Sequence, residues 1–149
     1  MARSIRIGVA AGFWGESAGA TAQLLRAPDL DVLIYDYLAE ITLSIMARAR
    51  AKDPSAGWAT DFVTAAMAPN LAEIARRGIK VIANAGGINP AACAEALRAE
   101  AARQAIPIRI AVVEGDDIAA RAAQFAQAAE MFSGAPFPAL DRIGSVNAY

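Results

Sequence analysis

The sequence predicts an α/β protein: a three-layer, mostly parallel sheet of at least four strands with helices on both faces. Such an architecture is Rossmann-like, and it is expected to be incomplete at the C-terminus. Three observations predict it. Four short runs rich in Ile and Val occur at residues 4–10 (SIRIGVA), 31–35 (DVLIY), 79–83 (IKVIA) and 108–113 (IRIAVV). Longer stretches with apolar residues at helical spacing separate them, and strands alternating with helices form parallel sheets. Three of the runs lead directly into an acidic or glycine-rich segment, where α/β proteins place their chemistry.

The elements follow in order. Residues 4–10 read as the first strand, and AGFWGES as the loop after it. Ser17 is positioned to cap a helix over 18–27, ended by Pro28. DVLIY is the second strand. A helix is expected over 39–52, with Ile41, Ile45 and Ala49 at four-residue spacing. DPSAGW breaks it. Thr60 or Asp61 can cap a helical region over 61–77, in which Pro69 forces a kink or two abutting helices. Gly78 suits the position just past a helix end. After the third strand, Asn89-Pro90 is a cap followed by a first-turn proline, opening a helix over 90–104. The fourth strand is expected at 108–113 and a last helix at 118–132, capped by Asp116 or Asp117. The tail SGAPFPALDRIGSVNAY reads as loop, with a short strand near 142–146.

A chain of 149 residues suits one domain, here 1–149, and can bury roughly 68–70% of its unfolded surface. The formal net charge is -1. No basic field is present to attract nucleic acid. The close pair Arg76-Arg77 before Gly78 reads as cations favouring a helix C-terminus. Cys93 is the single cysteine, so no disulfide framework forms and a cytoplasmic setting is expected. No run is long enough to span a bilayer, and MARSIRIG lacks the apolar core of a signal peptide. About a quarter of the residues are alanine, which favours helix and close packing but contributes little area per residue.

Candidate site residues cluster in the strand-end loops. Gly12, Phe13, Trp14 and Gly15 can form an amide-lined nest with an aromatic wall or lid; alternatively the two aromatics plug the end of the sheet. Glu16 would repel an anion there, and neither nucleotide-binding fingerprint is present. Asp36 and Glu40 follow strand two, and Glu114 and Asp116 follow strand four. Carboxylates on two loops suit acid/base catalysis, or Mg²⁺ or Mn²⁺ held by Asp36, Glu114 and Asp116. Helix capping by Asp116 or Asp117 is the competing role. Asn84 presents an amide to the crevice, and Gly86 and Gly87 permit close backbone approach. Tyr37 offers packing with a polar handle. Asn147 lies in the terminal loop. The absence of histidine excludes histidine triads and histidine-ligated zinc within this chain.

The segments IRIGVAAGFWGES, DVLIYDYLAEITLSIMARARAKDPSAGW, GIKVIANAGGINPAACAEAL, IRIAVVEGDD and LDRIGSVNAY together resemble the N-terminal part of the acyclic terpene utilization protein AtuA family. The resemblance covers essentially the whole chain, and family members are usually longer. It implies a setting in the catabolism of citronellol- and geraniol-type acyclic terpenes, run on CoA thioesters. Gly12, Phe13, Gly15, Asp36, Tyr37, Glu40, Asn84, Gly86, Gly87, Glu114, Asp116 and Asn147 are among the matching positions.

The resulting expectation is a metabolic enzyme domain acting on an organic acid or acyl-CoA thioester. Asp36, Glu40 and Glu114 are its catalytic candidates for a hydratase-, lyase- or isomerase-like step. Gly12, Phe13, Trp14, Gly15, Tyr37, Asn84, Gly86, Gly87, Asp116 and Asn147 are its ligand-binding candidates. The alternative is a non-catalytic ligand-binding or assembly domain that needs a partner chain. Expected partners are a small molecule or acyl-CoA, with a second copy or a complementary chain covering the C-terminal end.

Overall fold

In the computed structural model, residues 4–148 are described. The chain divides into two compact units, Met1–Val112 and Val113–Tyr149.

The first unit is built on three parallel strands in the order β1-β2-β3: β1 (Ile7–Ala11), β2 (Val32–Tyr35) and β3 (Lys80–Ala83). The registers align Ile7 with Val32 and Lys80, and Val9 with Ile34 and Ile82. Side chains alternate between the two faces of a strand. Ala10, Leu33 and Tyr35 are therefore buried on one face, while Ile7, Val9 and Ile82 stand on the other at 57%, 62% and 60% exposure. Gly8 lets Leu24 and Leu30 approach β1, since a Cβ there would meet Leu30 Cδ1 at 3.0 Å.

The buried face is covered by α1 (Ala20–Leu24), a wide helical segment Phe62–Met67, and α3 (Leu71–Arg77). Thr21 and the Tyr35 hydroxyl share a buried hydrogen bond of 2.8 Å. The Tyr35, Tyr37 and Phe62 rings meet edge to face, with centroids 5.2–6.2 Å apart. Such edge-on contacts suit the aromatic quadrupole. α2 (Glu40–Lys52) contributes Met46 to this core, and α4 (Pro90–Arg103) contributes Cys93.

Pro69 divides the helical region as its missing N–H requires. The first segment is π-helical, with Ala68 N–H donating to Val63 O at 2.8 Å, and α3 begins two residues beyond Pro69. Gly78 terminates α3 in the left-handed conformation, at φ +65°. Asn89 caps α4 by accepting from Ala92 N–H at 3.4 Å. Its amide nitrogen also donates to Pro54 O and Ala56 O at 3.0 and 2.8 Å, so the cap pins the DPSAGW turn. Ser17 caps nothing with its side chain; α1 starts later, after Gly19.

The expected sheet of four or more strands with Rossmann-like topology is corrected here. Among the described residues the sheet has three strands, and residues 108–113 lie in no ladder and no regular element. β-branched side chains favour a half-buried pleated surface, but a strand also needs a neighbouring edge to satisfy its peptide groups. IRIAVV has the first property without the second. The uncovered Ile7, Val9 and Ile82 likewise contradict helices on both faces.

Among its described residues the second unit has two short 3₁₀ turns, Ala119–Phe125 and Leu140–Arg142, in place of the helix expected over 118–132. Single antiparallel bridges join Asp117 to Asn147 and Ala129 to Pro136. The Glu130 carboxylate accepts from the N–H groups of Phe132 and Ser133 and from the Ser133 hydroxyl, at 3.0, 2.6 and 2.6 Å. Among the described residues, no helix is long and apolar enough to cross a membrane.

Candidate functional site

The C-terminal ends of the three strands of the first unit converge through Asn84. Its Oδ1 accepts from Tyr37 N–H at 2.7 Å, and its Nδ2 donates to Asp36 Oδ1 at 2.6 Å. Asp36 N–H donates to Ala11 O at 3.0 Å, and Asn84 N–H donates to Tyr35 O at 3.3 Å. One amide side chain therefore sets the turn after β2 and fixes the rotamer of the carboxylate beside it. Asp36 itself remains exposed. Glu40 stands exposed in the first turn of α2. That helix starts at a local cap, in which the Thr42 hydroxyl accepts from Ala39 N–H at 2.7 Å.

The loop after β1 closes a cavity of about 180 Å³ against the Phe62–Met67 segment. Its polar lining is Glu16, Ser17, Tyr37 and Asp61, and its apolar lining includes Ala11 and Ala66. Both carboxylates are oriented by neighbours. Gly12 N–H donates to Glu16 Oε2, and the Trp14 indole N–H donates to Asp61 Oδ1, each at 2.6 Å. Gly15 enters this loop in a left-handed conformation, φ +88°. The two loop aromatics separate in role: Trp14 packs against the core, while Phe13 is exposed.

Burial, the nearby Asp61 charge and the Tyr35 ring together push the Tyr37 hydroxyl up to about 12. It is therefore a neutral hydrogen-bonding group at physiological pH. Burial also raises Tyr35, against the opposing hydrogen bond from Thr21. Both folded values lie above that of an unfolded tyrosine, near 10. The stability they support is complete below about pH 10 and is lost as pH climbs through the folded values. We expect alkaline unfolding to begin near pH 10, and to be less steep in Tyr37→Phe. Circular dichroism and tyrosinate absorbance followed together over an alkaline titration check this. Coincident curves for the two proteins would refute it.

The glycine loop is held tightly by the protein. Gly87 N–H donates to Asn84 O at 3.1 Å, and Ile88 N–H donates to Gly57 O at 3.0 Å. Arg50 donates to Ile88 O. A Cβ on Gly86 would lie 2.8 Å from Pro90. The Cys93 thiol is buried, and that burial raises it to about 11, so it is a packing group at neutral pH.

In the second unit, Asn147 Nδ2 donates to Asp116 Oδ2 at 2.8 Å, and Ala148 N–H donates to Asp116 O at 2.8 Å. Asp117 Oδ1 accepts from Ala119 N–H at 2.9 Å, a local turn bond; Ile118 occupies the cap position of the 3₁₀ segment, which has no side-chain cap. Glu114 is exposed. Among the described residues, no group of three or more Asp, Glu, Cys or His side chains stands close enough to hold a metal ion.

Sequence reasoning overlooked Glu16 and Asp61 as paired site residues. The sequence alone gives Glu16 only a repulsive role and Asp61 only a capping one, whereas Asp61 makes no side-chain cap. Their association depends on a contact between Trp14 and Asp61, 47 residues apart. No local pattern announces it.

No curated protein and no solved structure matches the chain. The family model described as acyclic terpene utilisation family protein AtuA matches residues 5–149. A match over nearly the whole length, together with the strand-end loops that carried the resemblance, shows that this chain belongs to the AtuA family.

Proposed function

We propose that the chain is a metabolic enzyme domain of acyclic-terpene-type catabolism, acting on an organic acid or acyl-CoA thioester. Family membership supports the metabolic setting. The observation that carries the reading is the Asp36–Asn84 pair at the strand ends, with its 2.6 Å hydrogen bond. A carboxylate held in one rotamer, yet open to solvent, suits proton transfer beside a polarised carbonyl. In this reading Asp36 and Glu40 carry the acid/base steps of a hydratase-, lyase- or isomerase-like reaction. Gly12, Phe13, Trp14, Gly15, Tyr37 and the Gly86-Gly87 loop shape the substrate's surroundings.

The test is turnover of short acyl-CoA thioesters by the protein, followed as loss or gain of enoyl absorbance. Asp36→Asn and Glu40→Gln are each expected to lower turnover by about 10²–10⁴-fold, the range typical of a positioned acid or base. Asn84→Ala is expected to lower it by about tenfold by releasing the Asp36 rotamer. Turnover unchanged by all three substitutions would reject the assignment.

A second reading is a non-catalytic binding or assembly domain, joined to a second copy or a complementary chain. It is favoured by the apolar sheet face formed by Ile7, Val9 and Ile82, which is more than half exposed at each position. Full activity of the isolated chain would remove this reading.

A further inference from the structure

We infer that the cavity lined by Glu16, Ser17, Tyr37 and Asp61 binds a protonated primary amine on a short alkyl chain. The inference shares Gly15 and Tyr37 with the proposed substrate surroundings but rests on other carboxylates, Glu16 and Asp61 rather than Asp36 and Glu40.

The volume of about 180 Å³ falls short of the roughly 300–1,000 Å³ of sites for drug-sized molecules. It suits a small ligand or one end of a longer one. No Lys or Arg lines the cavity, and neither carboxylate is ion-paired with a described residue. The internal hydrogen bonds consume only half of each carboxylate. Glu16 Oε2 and Asp61 Oδ1 are taken by Gly12 and Trp14. Glu16 Oε1 and Asp61 Oδ2 accept nothing from the described residues.

Tyr37 supplies the independent observation. Its side chain lies in a residue only 6% exposed, and its hydroxyl has no hydrogen-bond partner among the described residues. Buried polar groups are partnered as a rule. No wholly enclosed side-chain nitrogen or oxygen lacks a partner among the described residues, so this hydroxyl opens onto the cavity that Tyr37 lines. The site thus offers three acceptors: two carboxylate oxygens and one phenol oxygen. An alkylammonium head carries three donors and no acceptor. The methyl groups of Ala11, Ala18, Ala65 and Ala66 give its short chain an apolar wall. A carboxylate or phosphate would instead face two like charges.

The test is titration of the whole chain with n-propylammonium, followed by amide NMR shifts, with propionate, n-propanol and Mg²⁺ as comparisons. Saturable binding of n-propylammonium is expected, with shifts centred on the Gly12–Ala18 loop. Glu16→Gln and Asp61→Asn should each weaken it by about tenfold, since each removes a charge-assisted hydrogen bond. Added salt should weaken it further. Glu16 is on an exposed loop, so Glu16→Gln decides the matter if Asp61→Asn disturbs folding. Equal binding of n-propanol, displacement by millimolar Mg²⁺, or indifference to Glu16→Gln would overturn the inference. So would the absence of saturable binding.

Discussion

Arg77→Ala is expected to lower the stability of the first unit by about 3 kcal/mol, whereas Arg76→Ala should leave it nearly unchanged. The two arginines are adjacent in sequence but differ in what they touch. Arg77 has a side chain only 13% exposed. Its Nη1 donates to Leu25 O at 2.7 Å, and its Nη2 donates to Ala27 O and Pro28 O at 2.7 and 2.9 Å. One planar guanidinium thereby ties the end of α3 to the turn between α1 and β2, across about fifty residues of chain. Removing it strands three carbonyls; partial access to water keeps the cost near 3 rather than at the sum of three charged bonds. Arg76 is paired only with Glu73, at 2.7 Å on the open surface, where ion pairs are worth little. A loss of about 3 kcal/mol corresponds to a drop in Tm of roughly 6–12 °C for a chain of this size. Both tryptophans, Trp14 and Trp58, lie in the first unit, so urea unfolding followed by tryptophan fluorescence reads this unit directly. Equal effects of the two substitutions would show that Arg77 acts only as a helix-end charge.

Gly87→Ala is expected to cost about 3–4 kcal/mol, and Gly78→Ala only about 1–2 kcal/mol. Both glycines adopt left-handed backbone, at φ +54° and +65°. A Cβ in that region costs roughly 1–2 kcal/mol wherever it occurs. At Gly78 nothing lies within 4 Å of the added atom, so the backbone strain is the whole effect. At Gly87 the Cβ would enter the Met46 sulfur and lie 2.7 Å from Gly57 O. Overpacking of this kind adds about 1–3 kcal/mol. Because Gly87 N–H also holds Asn84 O, the substitution should disturb the Asn84–Asp36 contact as well. Urea midpoints of the two variants test the difference. Equal midpoints would mean that Met46 moves aside at little cost.

Much of the first unit was legible from local chemistry. The runs at 4–10, 31–35 and 79–83 lie within a few residues of β1, β2 and β3. Asn89-Pro90 opens α4, Gly78 closes α3, and Pro69 splits the region between them. Each depends on one residue's backbone freedom or missing donor, and these act over a turn or less. The Asp36 and Asn84 segments are legible because each directly follows an apolar run, and those two runs pair with each other as β2 and β3. Residues 108–113 misled because their side chains fit a strand while their peptide groups find no sheet edge. The cavity was missed because Glu16 and Asp61 become neighbours only when the Trp14 side chain folds onto the Phe62–Met67 segment.

The sequence by itself determined the β-then-helix rhythm as far as α4, the Asn89 cap, the breaks at Pro69 and Gly78, and the family to which the chain belongs. These are carried by residues within a few positions of one another, or by collinear segments, and need no packing to be read. Only the tertiary structure decided how many strands pair, which sheet face stays uncovered, and which carboxylates share a cavity. Those outcomes depend on contacts between residues tens of positions apart, where burial and hydrogen-bond partners are settled by the assembled core and leave no periodic trace along the chain.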